Sequence, residues 1–146
     1  MKFLESIKVD AIIVADLGIF LLAKRVAPNL ERHVSTQANT TNYLTTEFWK
    51  EQGATRVVVA REVSIADIKT MKEAADIEIE AFVHGAMCIS YSGRCLLSNY
   101  FTTRDANRGQ CTQLAVGNTP WWKKTVPANT IRLKKTSTVL IFSTPK

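Results

Sequence analysis

Hydrophobic and polar positions alternate along this chain between two regular patterns. Four short segments read as strands, three of them dense in apolar and β-branched residues: "DAIIVAD" (10–16), "ERHVS" (31–35, the polar exception), "TRVVVA" (55–60) and "DIEIEAF" (76–82). Their length and composition predict strands. Between them, apolar positions recur at helical spacing. "LGIFLLAKRVA" is stopped by Pro28, "NYLTTEFWKEQG" ends at Gly53 as a C-cap, and "SIADIKTMKEA" opens at Ser64 with Asp67 three residues on, an acidic variant of the capping box. The strand starts lie 21 to 24 residues apart. The opening "FLESIKVDAIIVAD" reads as the end of a helix, a turn and a strand, already in mid-pattern.

Strand–helix repeats of this length predict parallel βα units and an α/β fold. Polar residues follow each strand: Asp16, then Gln37 and Asn39, then Arg61 and Glu62, then His84. In a (β/α) barrel those places form the catalytic face, although polar residues follow strands in most proteins. Four units cannot close an eight-stranded barrel. The expected fold is a fragment of a TIM-like (β/α) barrel of about four βα units, or a smaller open α/β sheet, followed by an irregular C-terminal tail.

Composition narrows the class. Hydrophobic residues make up 46% of the 146, which excludes disorder for most of the chain. The longest apolar stretch, 11–23, is broken by Asp16 and is too short to span a bilayer. Glu5, Lys8 and Asp10 interrupt the apolar run that a signal peptide needs. A cytoplasmic location without membrane contact is expected, where three cysteines imply thiols or a metal site rather than a disulfide framework. The net charge of +6 invites a nucleic-acid reading, but its distribution alters that picture. Residues 1–113 carry 13 basic and 13 acidic side chains, whereas 114–146 carry six basic ones and no acid.

The candidate chemistry centres on "HGAMCISYSGRC" (84–95) and a third cysteine, Cys111. The spacing C-x6-C-x15-C lacks the close ligand pairs of structural zinc sites. Nucleophilic catalysis by Cys88 is open, with His84 four residues before it. Iron–sulfur ligation tolerates irregular loops and wants four thiolates, one more than the chain has. Three unrelated thiols remain the plainer alternative. Neither a convincing Ser/His/Asp order nor an H-E-x-x-H motif is present.

The segment "EAFVHGAMCISYSGRCLLS" (80–98) resembles the signature of the collagenase-like peptidase family, peptidase family U32. It carries Glu80, Phe82, Gly85, Ala86, Met87, Cys88, Gly93, Cys95, Leu97 and Ser98 at the signature spacing. Upstream "VSTQANTTNYLTTEFWKEQGATRVVVAREVS" and downstream "NYFTTRDANRGQC" are similar to that family as well, so the resemblance runs from about residue 3 to 113. It implies a (β/α)-barrel domain over 1–113, with a cysteine-rich loop at 80–111. It also implies Cys88, Cys95 and Cys111 as iron–sulfur ligands. The implied activity is prephenate-linked hydroxylation of RNA bases, notably tRNA uridine, or proteolysis of peptides as the family name records. Arg61, His84 and Arg94 are candidate binders of an anionic metabolite or phosphate, because cations match such groups.

The family pattern continues after the third cysteine with a fourth, followed by Arg and Trp, where this chain has "CTQLAVGN". Back-translating "QLAVGNTPWWKK" and inserting one base after Gln113 yields Q-P-C-R-W-K-Y-A-L-V-E-E, with a cysteine in place of Ala115. Residues 114–146 are therefore expected to be a frame-shifted tail on an incomplete copy of the family domain. On that expectation the intact parent is the enzyme, and this chain is poorly active. A non-catalytic remnant that pairs through exposed strand edges is the alternative, as is a genuine basic tail that stacks nucleic acid bases on Trp121 and Trp122.

Overall fold

The computed structural model describes residues 1–83, 88, 90–106 and 110–112, together with the backbone of His84 and of 138–142. A short helix α1 (Lys2–Ser6) leads into β1 (Ala11–Val14). Then follow α2 (Leu17–Val26), β2 (Glu31–Val34), a 3₁₀ turn at Thr36–Ala38, α3 (Tyr43–Gln52), β3 (Arg56–Val58), α4 (Ile65–Ala75) and β4 (Glu78–His84). Beyond these lie α5 (Leu97–Thr102) and β5 (Thr138–Phe142). The four predicted strands all form, and they pair in parallel in sequential order, β1-β2-β3-β4.

Local chemistry sets the helix boundaries. Asp16 caps α2 by accepting from the Ile19 amide at 2.8 Å, and Asn42 caps α3 through the Thr45 amide at 3.0 Å. Ser64 caps α4 through the Asp67 amide. Gly53 ends α3 with φ 93°, the left-handed conformation that glycine adopts without strain. Asp16, singled out above for its place after a strand, is thus occupied as a cap.

Registered neighbours Val14, Val34, Val57 and Ile79 point to one face of the sheet, since side chains alternate along each strand. On that face they pack with Phe20 of α2, Trp49 of α3 and Ile68 and Met71 of α4. Phe20, Met71 and Ile79 are essentially fully buried, each stabilising by about 1.5–3 kcal/mol. Phe20 and Trp49 also meet at a ring separation of 5.2 Å.

The opposite face is more polar, although Val58 is buried there. Ile13 is 67% exposed there. Arg56 bridges Glu78 at 2.7 Å and Glu80 at 3.4 Å. Among the described residues, α2, α3 and α4 all pack on the first of these faces.

The tail departs from expectation at one place. Residues 138–142, "TVLIF", form β5, which pairs antiparallel with β4 (Ile79 opposite Phe142, Ala81 opposite Leu140). An irregular tail was expected. β4 has an unpaired outer edge, however, and an apolar, β-branched run fits such an edge. The rest of the tail lies outside the described residues.

Candidate functional site

The cysteine-bearing segment sits where the strands end. β2 is followed by Ser35, whose side chain accepts from the Gln37 amide and opens the short 3₁₀ turn. That turn presents Thr36 and Gln37. β3 is followed by Val59, Ala60, Arg61 and Glu62. β4 ends at His84. Sequentially adjacent parallel strands bring these three loops side by side at the carboxyl ends of the sheet, the usual place for ligand sites in α/β folds.

Between Cys88 and Cys95 lies a β-turn, Tyr91-Ser92-Gly93-Arg94, closed by the Arg94 amide on the Tyr91 carbonyl at 3.1 Å. Gly93 has φ 75°, a value that favours glycine at the third position of a turn. Ser92 is buried, 4% exposed. Its amide donates to Glu62 Oε1 at 3.2 Å, and its hydroxyl lies 3.5 Å from Glu62 Oε2. Thr36 reaches both the Val59 carbonyl (3.1 Å) and the Ser92 hydroxyl (3.4 Å). The backbone of Gln37 lies against Gly93, with no room for a Cβ between them. Loops after β2 and β3 thus clasp the turn that separates the first two cysteines.

The segment leading to the third cysteine is tied down by Gln37 and by Ser98. Gln37 Nε2 donates to the Ala106 carbonyl at 2.8 Å. Ser98 of α5, 2% exposed, accepts from the Thr112 amide at 3.1 Å and meets the Thr112 hydroxyl at 3.0 Å. Its hydroxyl also lies 3.4 Å from the Gln110 carbonyl. Both neighbours of Cys111 in sequence are therefore held to α5, which begins two residues after Cys95.

Cys88 and Cys95 are half-buried and Cys111 is exposed. Three thiols are the donor type an iron–sulfur cluster takes. Among the described residues, however, no group of three or more His, Cys, Asp or Glu side chains is placed to hold a metal ion. As positioned, the three sulfurs do not form a ligand set.

Arg61 stacks on the Phe82 ring at 4.5 Å from its centroid, which joins the end of β3 to β4. It does not pair with Glu62, whose carboxylate is directed to Ser92. Arg94 is exposed. His84 ends β4, and its side chain lies outside the described residues, as do Gly85, Ala86 and Met87 of the signature. Sequence reasoning passed over Thr36 and α5, and assigned no role to Ser98 beyond the signature. Small hydroxyl residues in polar loops give no periodic signal.

The match to known proteins spans the βα units together with this segment. The profile described as Peptidase family U32 matches residues 1–117. The chain belongs to peptidase family U32. "tRNA hydroxylation protein P1" of Bacillus subtilis (strain 168) is 57% identical over 113 residues, which cover 77% of this chain and 27% of that protein. "tRNA hydroxylation protein P" of Escherichia coli (strain K12) is 47% identical over 104 residues, 70% of this chain and 23% of that protein. "23S rRNA 5-hydroxycytidine C2501 synthase" of the same strain is 43% identical over 105 residues, 72% of this chain and 16% of that protein. The chain thus spans roughly a quarter or less of these U32 relatives' lengths. No solved structure matches it significantly. Among the described residues, no helix is long and apolar enough to cross a membrane.

Proposed function

We propose that this chain carries part of the catalytic face of a U32 protein that hydroxylates RNA bases, with tRNA uridine as the first substrate to test. The observation behind this reading is the 57% identity to a protein named for tRNA hydroxylation, over the segment that clasps a cysteine-bearing turn onto the strand ends. The sequential parallel order of four strands, with helices on one face, suits an arc of a (β/α) barrel. In that arc the polar face bearing Arg56, Glu78 and Glu80 would line the barrel interior.

The chain's own residues bind and position. Arg61 is held against Phe82 and presents a guanidinium beside the β3 end. With Arg94 it offers cationic donors for a carboxylate or phosphate, His84 is proposed as a further binder on its place at the end of β4, and prephenate is the dicarboxylate proposed for this place. An iron–sulfur cluster would supply redox or Lewis-acid chemistry in the intact protein, with Cys88, Cys95 and Cys111 among its ligands. That proposal rests on residue type and family resemblance, because the three sulfurs are not gathered here.

Residues 114–146 are proposed to be read out of frame. The family match ends at residue 117, and no acidic residue follows Asp105. Sequencing the gene tests this. A neighbouring frame encoding a cysteine at the position of Ala115 supports it, and its absence refutes it.

The functional test is complementation. A full-length relative, or the same protein with Cys88→Ser, Cys95→Ser or Cys111→Ser at the matching positions, is expressed in cells lacking tRNA uridine hydroxylation. Nucleosides are then measured by mass spectrometry. Hydroxylation restored by the parent and lost in the serine variants is the expected result. Restoration by all of them sinks the cysteine assignment. Peptide cleavage sensitive to thiol blockers, without hydroxylation, favours the protease alternative.

A further inference from the structure

We infer that Glu62 is a positioning residue for the cysteine loop, fixing where Cys88 and Cys95 present their thiols. The inference rests on the proposed role of that loop for its functional meaning, but its geometry stands on separate observations. Glu62 lies 30 residues from Ser92 in sequence and extends from the loop after β3. Its two carboxylate oxygens address one residue, taking the Ser92 amide on Oε1 and approaching the Ser92 hydroxyl with Oε2. Ser92 sits between the two cysteines, three residues before Cys95 and four after Cys88.

The Ser92 side is buried, 4% exposed, whereas Glu62 faces solvent with its remaining surface. A buried amide donor left without an acceptor is strongly disfavoured, and a carboxylate acceptor makes the bond charge-assisted. Thr36 completes the arrangement by bridging Ser92 to the Val59 carbonyl. The turn is thereby referenced to β3 twice, once through Glu62 and once through a backbone carbonyl. Gly93 then packs on Gln37 from the β2 side. These contacts fix the turn in position at the strand ends, and Cys88 and Cys95 flank it. Cys111 is tethered separately, through the Ser98 contacts to Gln110 and Thr112, so it serves as an internal reference.

The test uses the 146-residue chain. Alkylation rates of each cysteine are followed with a neutral alkylating reagent and peptide mass spectrometry, in the parent, Glu62→Ala, Glu62→Gln and Ser92→Ala. Circular dichroism and thermal melting report the fold. In Glu62→Ala, Cys88 and Cys95 should be alkylated about tenfold faster relative to Cys111, the factor expected when one charge-assisted hydrogen bond is lost. Glu62→Gln retains an acceptor for the Ser92 amide and should return the ratio to within about twofold of the parent. Ser92→Ala keeps the amide and should behave like Glu62→Gln. An unchanged ratio in Glu62→Ala overturns the inference. So does a uniform rise at all three cysteines, which reports unfolding, or a failure of Glu62→Gln to rescue.

Iron binding is measured on the same proteins after anaerobic incubation with iron and sulfide. A shifted alkylation ratio in a chain that takes up no iron keeps the positioning role and removes support for the cluster. Iron uptake with an unshifted ratio does the reverse.

Discussion

Gly93 packs so closely on the backbone of Gln37 that a Cβ at this position would overlap the Gln37 carbonyl. The contact joins the turn between two cysteines to the loop after β2. It also explains the glycine twice over, since its φ of 75° is itself unfavourable for other residues. Gly93→Ala must therefore move backbone as well as adopt the left-handed conformation, which alone costs about 1–2 kcal/mol. A loss of at least that size in urea unfolding is expected, together with faster alkylation of Cys95. A variant as stable as the parent would show that the close approach is not maintained in solution.

Arg32 is a buried cation held by carbonyls. It is 8% exposed and donates to the carbonyls of Leu30 (2.8 Å), Gly53 (3.2 Å) and Pro28 (3.3 Å), with its guanidinium 5.8 Å from the Phe20 ring centre. It joins the loop before β2 to the C-cap of α3. Arg32→Ala is expected to destabilise the chain by about 2–4 kcal/mol, through lost charge-assisted bonds and a cavity beside Phe20. Arg32→Lys should recover only part of this, because an ammonium cannot span the same fork. Chemical denaturation of the three proteins measures it, and equal stability of the lysine variant would contradict the multi-carbonyl role.

Phe82 holds Arg61 by its ring face. Exposed cation–π contacts contribute about 0.5–1 kcal/mol, so Phe82→Leu should change overall stability little. If Arg61 binds an anion, its loss of support should weaken phosphate or dicarboxylate binding by about threefold, and Arg61→Ala should weaken it more. Titration calorimetry with prephenate and with inorganic phosphate gives both numbers. Identical affinities in all three proteins would remove Arg61 from the site.

The outer edge of β4 is covered by β5. Replacing Val139 and Leu140 together by proline removes two successive backbone donors, at least one of which serves the ladder. The uncovered edge should then promote self-association. A shift toward larger species in size-exclusion chromatography at constant protein concentration is expected. Unchanged elution would mean that β5 does not protect this edge.

Much of this architecture is local and was legible in the sequence. Strand runs at β1 to β4, the caps at Ser64 and Gly53 and the break before Pro28 each depend on a few adjacent residues, whose periodicity and backbone preferences are set before any tertiary contact forms. The signature around Cys88 and Cys95 was likewise readable, and with it the family. Tertiary structure decided the rest. Glu62 reaches Ser92 across 30 residues, and Gln37 reaches Ala106 across 69. Neither pairing has a local pattern, because it exists only once sequential parallel strands set their trailing loops side by side. The pairing of β5 is of the same kind: an apolar run permits a strand where an irregular tail was expected, but only an available edge on β4 selects its partner. Asp16 and Glu62 show the division most plainly. Both are acids placed just after strands, yet one caps the helix that follows it and the other holds a loop far along the chain, because only for Glu62 does the fold bring a buried amide within reach.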